Sequence, residues 1–278
     1  MDRSDPVVPT HAVHLQPRSA RHRGHWLQIG HSHGFEWNHL DVSIPQLPHQ
    51  LHGVRIVHLS DAHLLPRWKP AYDQLLARLA DHPPDLVLFT GDLVDHKLDH
   101  RDTLPTAERF VKGLSARLGV FAIAGNHDGD FIGPRSTNWN INWIDRKFLR
   151  LESASAAVEL IGLPSVRRQS FDPEWLTTLP PHTVGVPRIA LGHYPDQVRY
   201  ISSLSADLML SGHTHGGQIC LPNGCAIMTH DTLPKRMARG AHRFGPTTLV
   251  VNRGFGLTRW PIRIFCPAEV VEIRLTCE

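Results

Sequence analysis

Five short polar clusters carry side chains able to hold divalent cations: Ser60-Asp61-Ala62-His63, Gly91-Asp92, Gly125-Asn126-His127-Asp128, Gly192-His193 and Gly212-His213-Thr214-His215. Their candidate ligands are Asp61, His63, Asp92, Asn126, His193, His213 and His215. This mixed oxygen and nitrogen set suits two borderline divalent ions about 3.5–4 Å apart with one shared bridge. A carboxylate can bridge because its two oxygens reach separate ions. Imidazoles fill the outer positions, and an amide oxygen adds a ligand without adding charge. On this assignment one ion takes Asp61, His63, Asp92 and His215, and the other takes Asp92, Asn126, His193 and His213, with Asp92 as the bridge. Water between two such ions is acidified, and the resulting hydroxide is a nucleophile for in-line attack on a phosphate ester. His127 adjoins a ligand but is assigned no ion, so it is placed as general acid at the leaving oxygen. Asp128 is expected to accept from the other ring nitrogen of His127 and fix its tautomer. Mn²⁺, Zn²⁺, Fe and Co²⁺ all fit such donors.

Each cluster alone is common: Gly-Asp is usually a turn, and a single loop histidine is usually just hydrogen-bonded. What distinguishes these five is their placement after apolar, β-branched runs that read as buried strands. Those runs are 54–59, 86–90, 120–124, 158–163, 188–191 and 207–210, with further strands at 247–251 and 270–275. Helix-like stretches at 71–80 and 106–118 separate the early strands, which predicts an α/β layered domain. The later strands lack long helices between them, which suggests a second sheet packed on the first. All five clusters then lie at the carboxyl ends of strands, the rim where α/β sheets bind ligands.

With 278 residues and 41% hydrophobic content, the chain can bury a substantial core. A net charge of +3 gives weak support to an anionic partner and specifies none. Residues 1–35 are rich in His, Arg, Pro and Ser without periodicity and are expected to form a flexible leader before a single domain over 36–278. Among the 21 histidines, His11, His14, His22, His25, His31 and His33 read as polar tail positions. No apolar run reaches the ~20 residues of a membrane span, and no signal peptide is evident, so a cytoplasmic protein is expected, at most peripheral to the inner membrane. Cys220, Cys225, Cys266 and Cys277 show no CxxC spacing. They are expected to be reduced thiols.

The ordered clusters resemble the calcineurin-like metallophosphoesterase superfamily over about residues 51–275. That resemblance implies a four-layer α/β/β/α sandwich of two mixed sheets, and the ligand roles above agree with what the family implies. Gly212-His213-Thr214-His215-Gly216-Gly217-Gln218-Ile219, then Leu221-Pro222, Asn252-Arg253-Gly254-Phe255-Gly256, Pro261-Ile262-Arg263 and Pro267-Ala268-Glu269-Val270 are similar to the YkuE/YaeI-type bacterial phosphodiesterase branch. They also resemble enzymes that hydrolyse UDP-diacylglucosamine. The implied activity is metal-dependent hydrolysis of a phosphodiester or pyrophosphate in a small or lipid-linked substrate. Protein phosphatases of the superfamily carry Arg-Gly after the second motif and Glu after Asn-His. Here Asp95-His96-Lys97 and Asp128 stand there instead, which disfavours that class.

A nuclease or cyclic-nucleotide phosphodiesterase would use the same residues, but no basic stripe marks a nucleic-acid surface. A non-catalytic scaffold is disfavoured because all seven ligands and His127 are present. Arg253, Arg259 and Arg263, with Phe255, Trp260 and Phe265, are candidates for a substrate-binding wall, since Arg pairs bidentately with phosphate; ordinary packing is the alternative. Trp139, Ile141, Trp143, Ile144 and Phe148 are expected on an amphipathic helix, packed on its own core or capping an apolar substrate or membrane surface. His58 and His96 are expected to pack near the site without serving as ligands.

Overall fold

The computed structural model describes residues 18–19, 26–30, 34–95, 100–128, 132, 136, 138–152, 156–166, 171–172, 174–201 and 204–277. The six N-terminal histidines named above, most of the expected leader, and His96 and Lys97 lie outside these residues. Fifteen strands are described: β1 (Arg18–Ser19), β2 (Leu27–Ile29), β3 (Glu36–Ser43), β4 (Arg55–Leu59), β5 (Leu86–Phe89), β6 (Val120–Ala122), β7 (Asn142–Trp143), β8 (Lys147–Glu152), β9 (Ala157–Gly162), β10 (Arg188–Leu191), β11 (Leu208–Ser211), β12 (Gly240–Phe244), β13 (Thr247–Val251), β14 (Ile262–Ile264) and β15 (Glu269–Thr276). Helix α1 spans Pro70–Asp81 and α2 spans His100–Gly113.

One seven-stranded sheet has the order β1-β3-β15-β4-β5-β6-β7, and a six-stranded sheet has the order β12-β13-β11-β10-β9-β8. Period-two alternation builds the layers. Ile56, Leu86 and Leu88 of the first sheet meet Leu160, Ile189, Leu191, Leu208, Leu210 and Val250 of the second in one shared core. Val57, Leu59, Val87 and Phe89 face the other way, onto Tyr72, Leu75 and Leu79 of α1 and Phe110 of α2. Ala190, Met209, Leu249 and Val251 point away from the shared core, packing with Leu176, Val198 and Ile201 of two short helical turns. The result is the expected α/β/β/α sandwich.

Helix α2 begins at His100, earlier than Thr106, because it accepts Pro105 near its start; it closes at Gly113, short of Leu118. The helix expected through Trp139, Trp143 and Phe148 does not exist. Trp143 lies in β7 and Phe148 in β8, while Trp139, Ile141 and Ile144 are buried. The physical cause is visible in Asn138-Trp139-Asn140-Ile141-Asn142-Trp143: apolar and polar residues alternate with period two, which suits a strand. Strand β3 pairs with β15 in parallel from Glu36↔Glu269 to Ser43↔Thr276. Leu27–Ile29, within the stretch expected to be a leader, pairs with β14 as a small two-stranded sheet.

Strands β4, β5 and β6 run parallel in the first sheet, and β10 and β11 run parallel in the second. Their carboxyl ends emerge at the same edge of the sandwich, where the loops of the two sheets touch.

Candidate metal centre

Each strand end delivers its side chain through a sharp turn. Asp61, His63, Asp92, His213 and His215 have φ values of 49°, 39°, 57°, 66° and 50°. Non-glycine residues avoid this left-handed region at a cost of about 1–2 kcal/mol each, so five strained ligand positions mark a constrained site. The loops are laced together. The Asp61 amide donates to the Gly91 carbonyl at 2.9 Å, and the His63 amide donates to the Asp92 carbonyl at 3.0 Å. From the second sheet, the His213 amide donates to both oxygens of Asp61 at 3.1 and 3.0 Å. Gly125 passes so close to Asp92 that a Cβ would collide with its carboxylate and its amide nitrogen.

Donor atoms gather at two points on either side of Asp92. At the first, His63 Nε2 and His215 Nε2 are 3.1 Å apart, with Asp61 Oδ1 3.4 Å from His215 Nε2. At the second, His193 Nε2 lies 3.2 Å from His213 Nδ1 and 3.0 Å from Asn126 Oδ1. Asp92 Oδ2 is 3.5 Å from both His63 Nε2 and His193 Nε2, while its Oδ1 accepts the His127 amide at 2.7 Å. All seven sequence-predicted ligands are thus brought together. His193 Nδ1 lies 2.8 Å from the Thr90 carbonyl, which can only accept. A neutral His193 therefore presents a bare lone pair at Nε2. Ring nitrogens and oxygens converging this closely form a set that a cation can share. Asp61, His63 and His215, and likewise Asp61, Asp92 and His193, have ligand atoms close enough to share one ion.

Packed this closely, the buried groups shift one another's protonation. Asp61 is fully buried, and burial together with the Asp92 charge pushes its carboxyl up to about 6 against the pull of His193. Burial also opposes ionisation of Asp92, yet His193, His63 and His127 outweigh it and hold its carboxyl well below the usual range. His193 is buried too, but Asp92 and Asp61 drive it up to about 9. Burial pushes His63 down to about 4 and His215 well below the ordinary histidine value.

Two expectations change. Asp128 does not hold His127: its carboxylate accepts the amides of Asp92, Leu93, Val94 and Gly125 at 2.7–3.2 Å and is consumed as a backbone clamp. Asp95 takes the expected place, with Oδ1 3.4 Å from His127 Nδ1. Arg253 and Arg263 are not a substrate wall. Arg253 Nη2 is 2.6 Å from Glu36 and 2.7 Å from Glu269. Buried Arg263 donates to the carbonyls of His215, Arg253, Gly254, Gly256 and Cys266. Both guanidiniums are already engaged with acceptors of the chain itself, and Arg259 alone of the three is exposed. His58 packs as expected, wholly buried with Nε2 2.9 Å from Thr90 Oγ1. Asp95 was detectable as a second acid in the Gly91–Asp95 loop; no local pattern announced the Thr90 carbonyl.

Residues 54–217 match the family model described as calcineurin-like phosphoesterase. The chain is 29% identical over 262 residues to the metallophosphoesterase YkuE of Bacillus subtilis, covering 87% of this chain and 86% of that one. It is 28% identical over 298 residues to the UDP-2,3-diacylglucosamine pyrophosphatase LpxG of Chlamydia muridarum, covering 86% and 88%. It is 27% identical over 233 residues to the phosphodiesterase YaeI of Escherichia coli, covering 80% and 82%. With the fold, the clustered Asp and His donors and this match over more than half its length, the chain belongs to the calcineurin-like phosphoesterases, metal-dependent hydrolases of phosphate esters.

Proposed function

We propose that the site holds two divalent cations and hydrolyses a phosphodiester or pyrophosphate bond in a small or lipid-linked substrate. The observation that carries this is the gathering of donor atoms at two points with Asp92 Oδ2 between them. Asp61, His63, Asp92 and His215 would hold one ion, and Asp92, Asn126, His193 and His213 the other. Such ions supply Lewis acidity toward a phosphate oxygen and acidify water near neutral pH.

The chain's own groups do the rest. The Thr90 carbonyl fixes the His193 tautomer so that Nε2 points inward. Asp128 pins the turns after β5 and β6 through four amides. His127 would deliver a proton to the leaving oxygen. Burial opposes its cation, but the hydrogen bond to Asp95 and the charges of Asp92, Asp95 and Asp61 raise its pKa above the ordinary value. Asp95 engages Nδ1 and so orients the His127 ring.

A diester or pyrophosphate is favoured because the phosphodiesterase YaeI and the pyrophosphatase LpxG both align over most of this chain. The test is a panel of bis-p-nitrophenyl phosphate, a UDP-linked diacyl sugar, cyclic nucleotides and DNA against Mn²⁺-loaded protein. Metal-dependent cleavage of the diester or the UDP-linked lipid is expected. Protein loaded with metal yet inert to diesters and monoesters alike would overturn the proposal, and cleavage of DNA or cyclic nucleotides alone would reassign the substrate.

A further inference from the structure

Three segments far apart in sequence build one small outer layer. Strand β2 pairs with β14, with Leu27 opposite Ile264 and Ile29 opposite Ile262. The Gly30 amide donates to the Pro261 carbonyl at 2.7 Å, and the Phe265 amide to the Trp26 carbonyl at 2.6 Å. On the other side of β14, Ile219 bridges Ile264, and the Ile227 amide donates back to the Ile219 carbonyl at 3.1 Å. Residues 26–30, 219–228 and 258–265 are therefore hydrogen-bonded into one unit.

This unit has an unusual surface. Trp26 is 60% exposed, Ile29 69%, Leu221 48%, Ile227 51%, Met228 59% and Trp260 62%. Among the described residues only two other large hydrophobic side chains are comparably exposed, Leu118 and Val184, and both lie elsewhere. Scattered exposed apolar residues need no explanation, but such a concentration marks an interaction surface. No aspartate or glutamate occurs in the three segments. The exposed charges on and beside them are cationic: Arg259 in the loop before β14, and Lys235 and Arg236, with Lys235 Nζ donating to the Ile227 carbonyl at 2.6 Å. The nearest acid along the chain, Asp231, is half-buried and accepts the amides of Leu233 and Asp196.

We propose that this layer is a docking surface for an anionic lipid bilayer. Tryptophans with an apolar body and a polar tip favour the headgroup boundary. Aliphatic side chains beside them can enter the acyl edge, while lysine and arginine pair with anionic headgroups. A second copy of the chain fits worse, because a two-fold contact through this patch brings two sets of Arg259, Lys235 and Arg236 into one interface. The loop bearing His213 and His215 runs directly into Ile219, so docking would hold the candidate centre beside the membrane surface. The inference does not depend on which substrate is cleaved.

The test is co-sedimentation of the full chain with vesicles of phosphatidylcholine alone or mixed equally with phosphatidylglycerol. The protein is expected to pellet with the mixed vesicles, to bind neutral vesicles weakly, and to be released by salt as charge screening grows. The double variant Trp26→Ser, Ile29→Ser should bind mixed vesicles about tenfold more weakly while hydrolysing bis-p-nitrophenyl phosphate in solution as the parent does. If that variant does not fold, Leu221→Ser with Met228→Ser on the exposed loop provides the same reading. Equal binding to neutral and anionic vesicles, or variants that bind like the parent, would overturn the proposal. So would a concentration-dependent dimer abolished by the same substitutions, which would assign the patch to a second copy. Loss of diester hydrolysis by the parent protein would sink the proposed function and leave vesicle binding untouched, so the two failures are distinguishable.

Discussion

Asp92 uses its two oxygens differently. Oδ1 is tied to the His127 amide, while Oδ2 faces His63 and His193. If Oδ2 bridges two ions, Asp92→Ala should lose both of them, whereas His127→Ala should keep its metal and lose roughly 10²–10⁴ in kcat. Elemental analysis paired with diester turnover checks this, and full metal content in Asp92→Ala would refute the bridge. The two neighbouring acids should also separate cleanly. Asp95→Asn is expected to lower kcat about 10–100-fold with metal content intact, because Asp95 orients His127. Asp128→Ala should instead destabilise the fold by several kcal/mol, since it strands buried amides worth about 1–3 kcal/mol each. A thermal melt beside a rate measurement distinguishes them. From sequence, Asp128 was the natural partner for His127 because it is adjacent. Adjacency in a tight turn nevertheless points successive side chains apart, and the loop after β5 supplied the acid that reaches the ring.

At the scale of elements, the carboxyl ends of β4, β5, β6, β10 and β11 place the donors, and this much was legible because buried parallel strands are continuous apolar runs. The short or half-polar strands β3, β7, β8, β12 and β14 were not legible, since their identity comes from the partner they pair with. The strict alternation from Trp139 to Trp143 argues against a helix there, although only Asn142–Trp143 pairs as a strand. The arginines misled for another reason: composition shows that a guanidinium is present, not whether it is already engaged. Arg253 is enclosed by Glu36 and Glu269, so Arg253→Ala should cost about 3–5 kcal/mol by leaving the buried Glu269 carboxylate uncompensated. Burial disfavours the Glu269 carboxylate, but Arg253 and the hydrogen bonds around it hold its pKa below the ordinary value near 4.5. A depressed carboxylate stabilises the fold fully above that value, and the contribution is lost as pH falls from it through the lower folded-state pKa. Glu269→Gln is therefore expected to flatten the loss of melting temperature on acidification below about pH 5; an unchanged slope would remove Glu269 from the account.

The two large sheets share one apolar core and one polar edge. Asp61, His63, Asp92 and Asn126 come from the first sheet, and His193, His213 and His215 from the second. Cations bound there would tie the two halves of the sandwich together and would bind the folded state far better than the unfolded one. Saturating Mn²⁺ should accordingly raise the melting temperature, with about 2.7 kcal/mol of stabilisation at a hundredfold excess over Kd, and Asp92→Ala should abolish the shift. Among the described residues no helix is long and apolar enough to cross a membrane.

Anomalous diffraction from Mn²⁺-loaded crystals tests the central claim most directly. Two peaks about 3.5–4 Å apart are expected, one beside Asp61, His63 and His215, the other beside Asn126, His193 and His213, with Asp92 touching both. A single peak, or ions bound away from Asp92, would contradict the account.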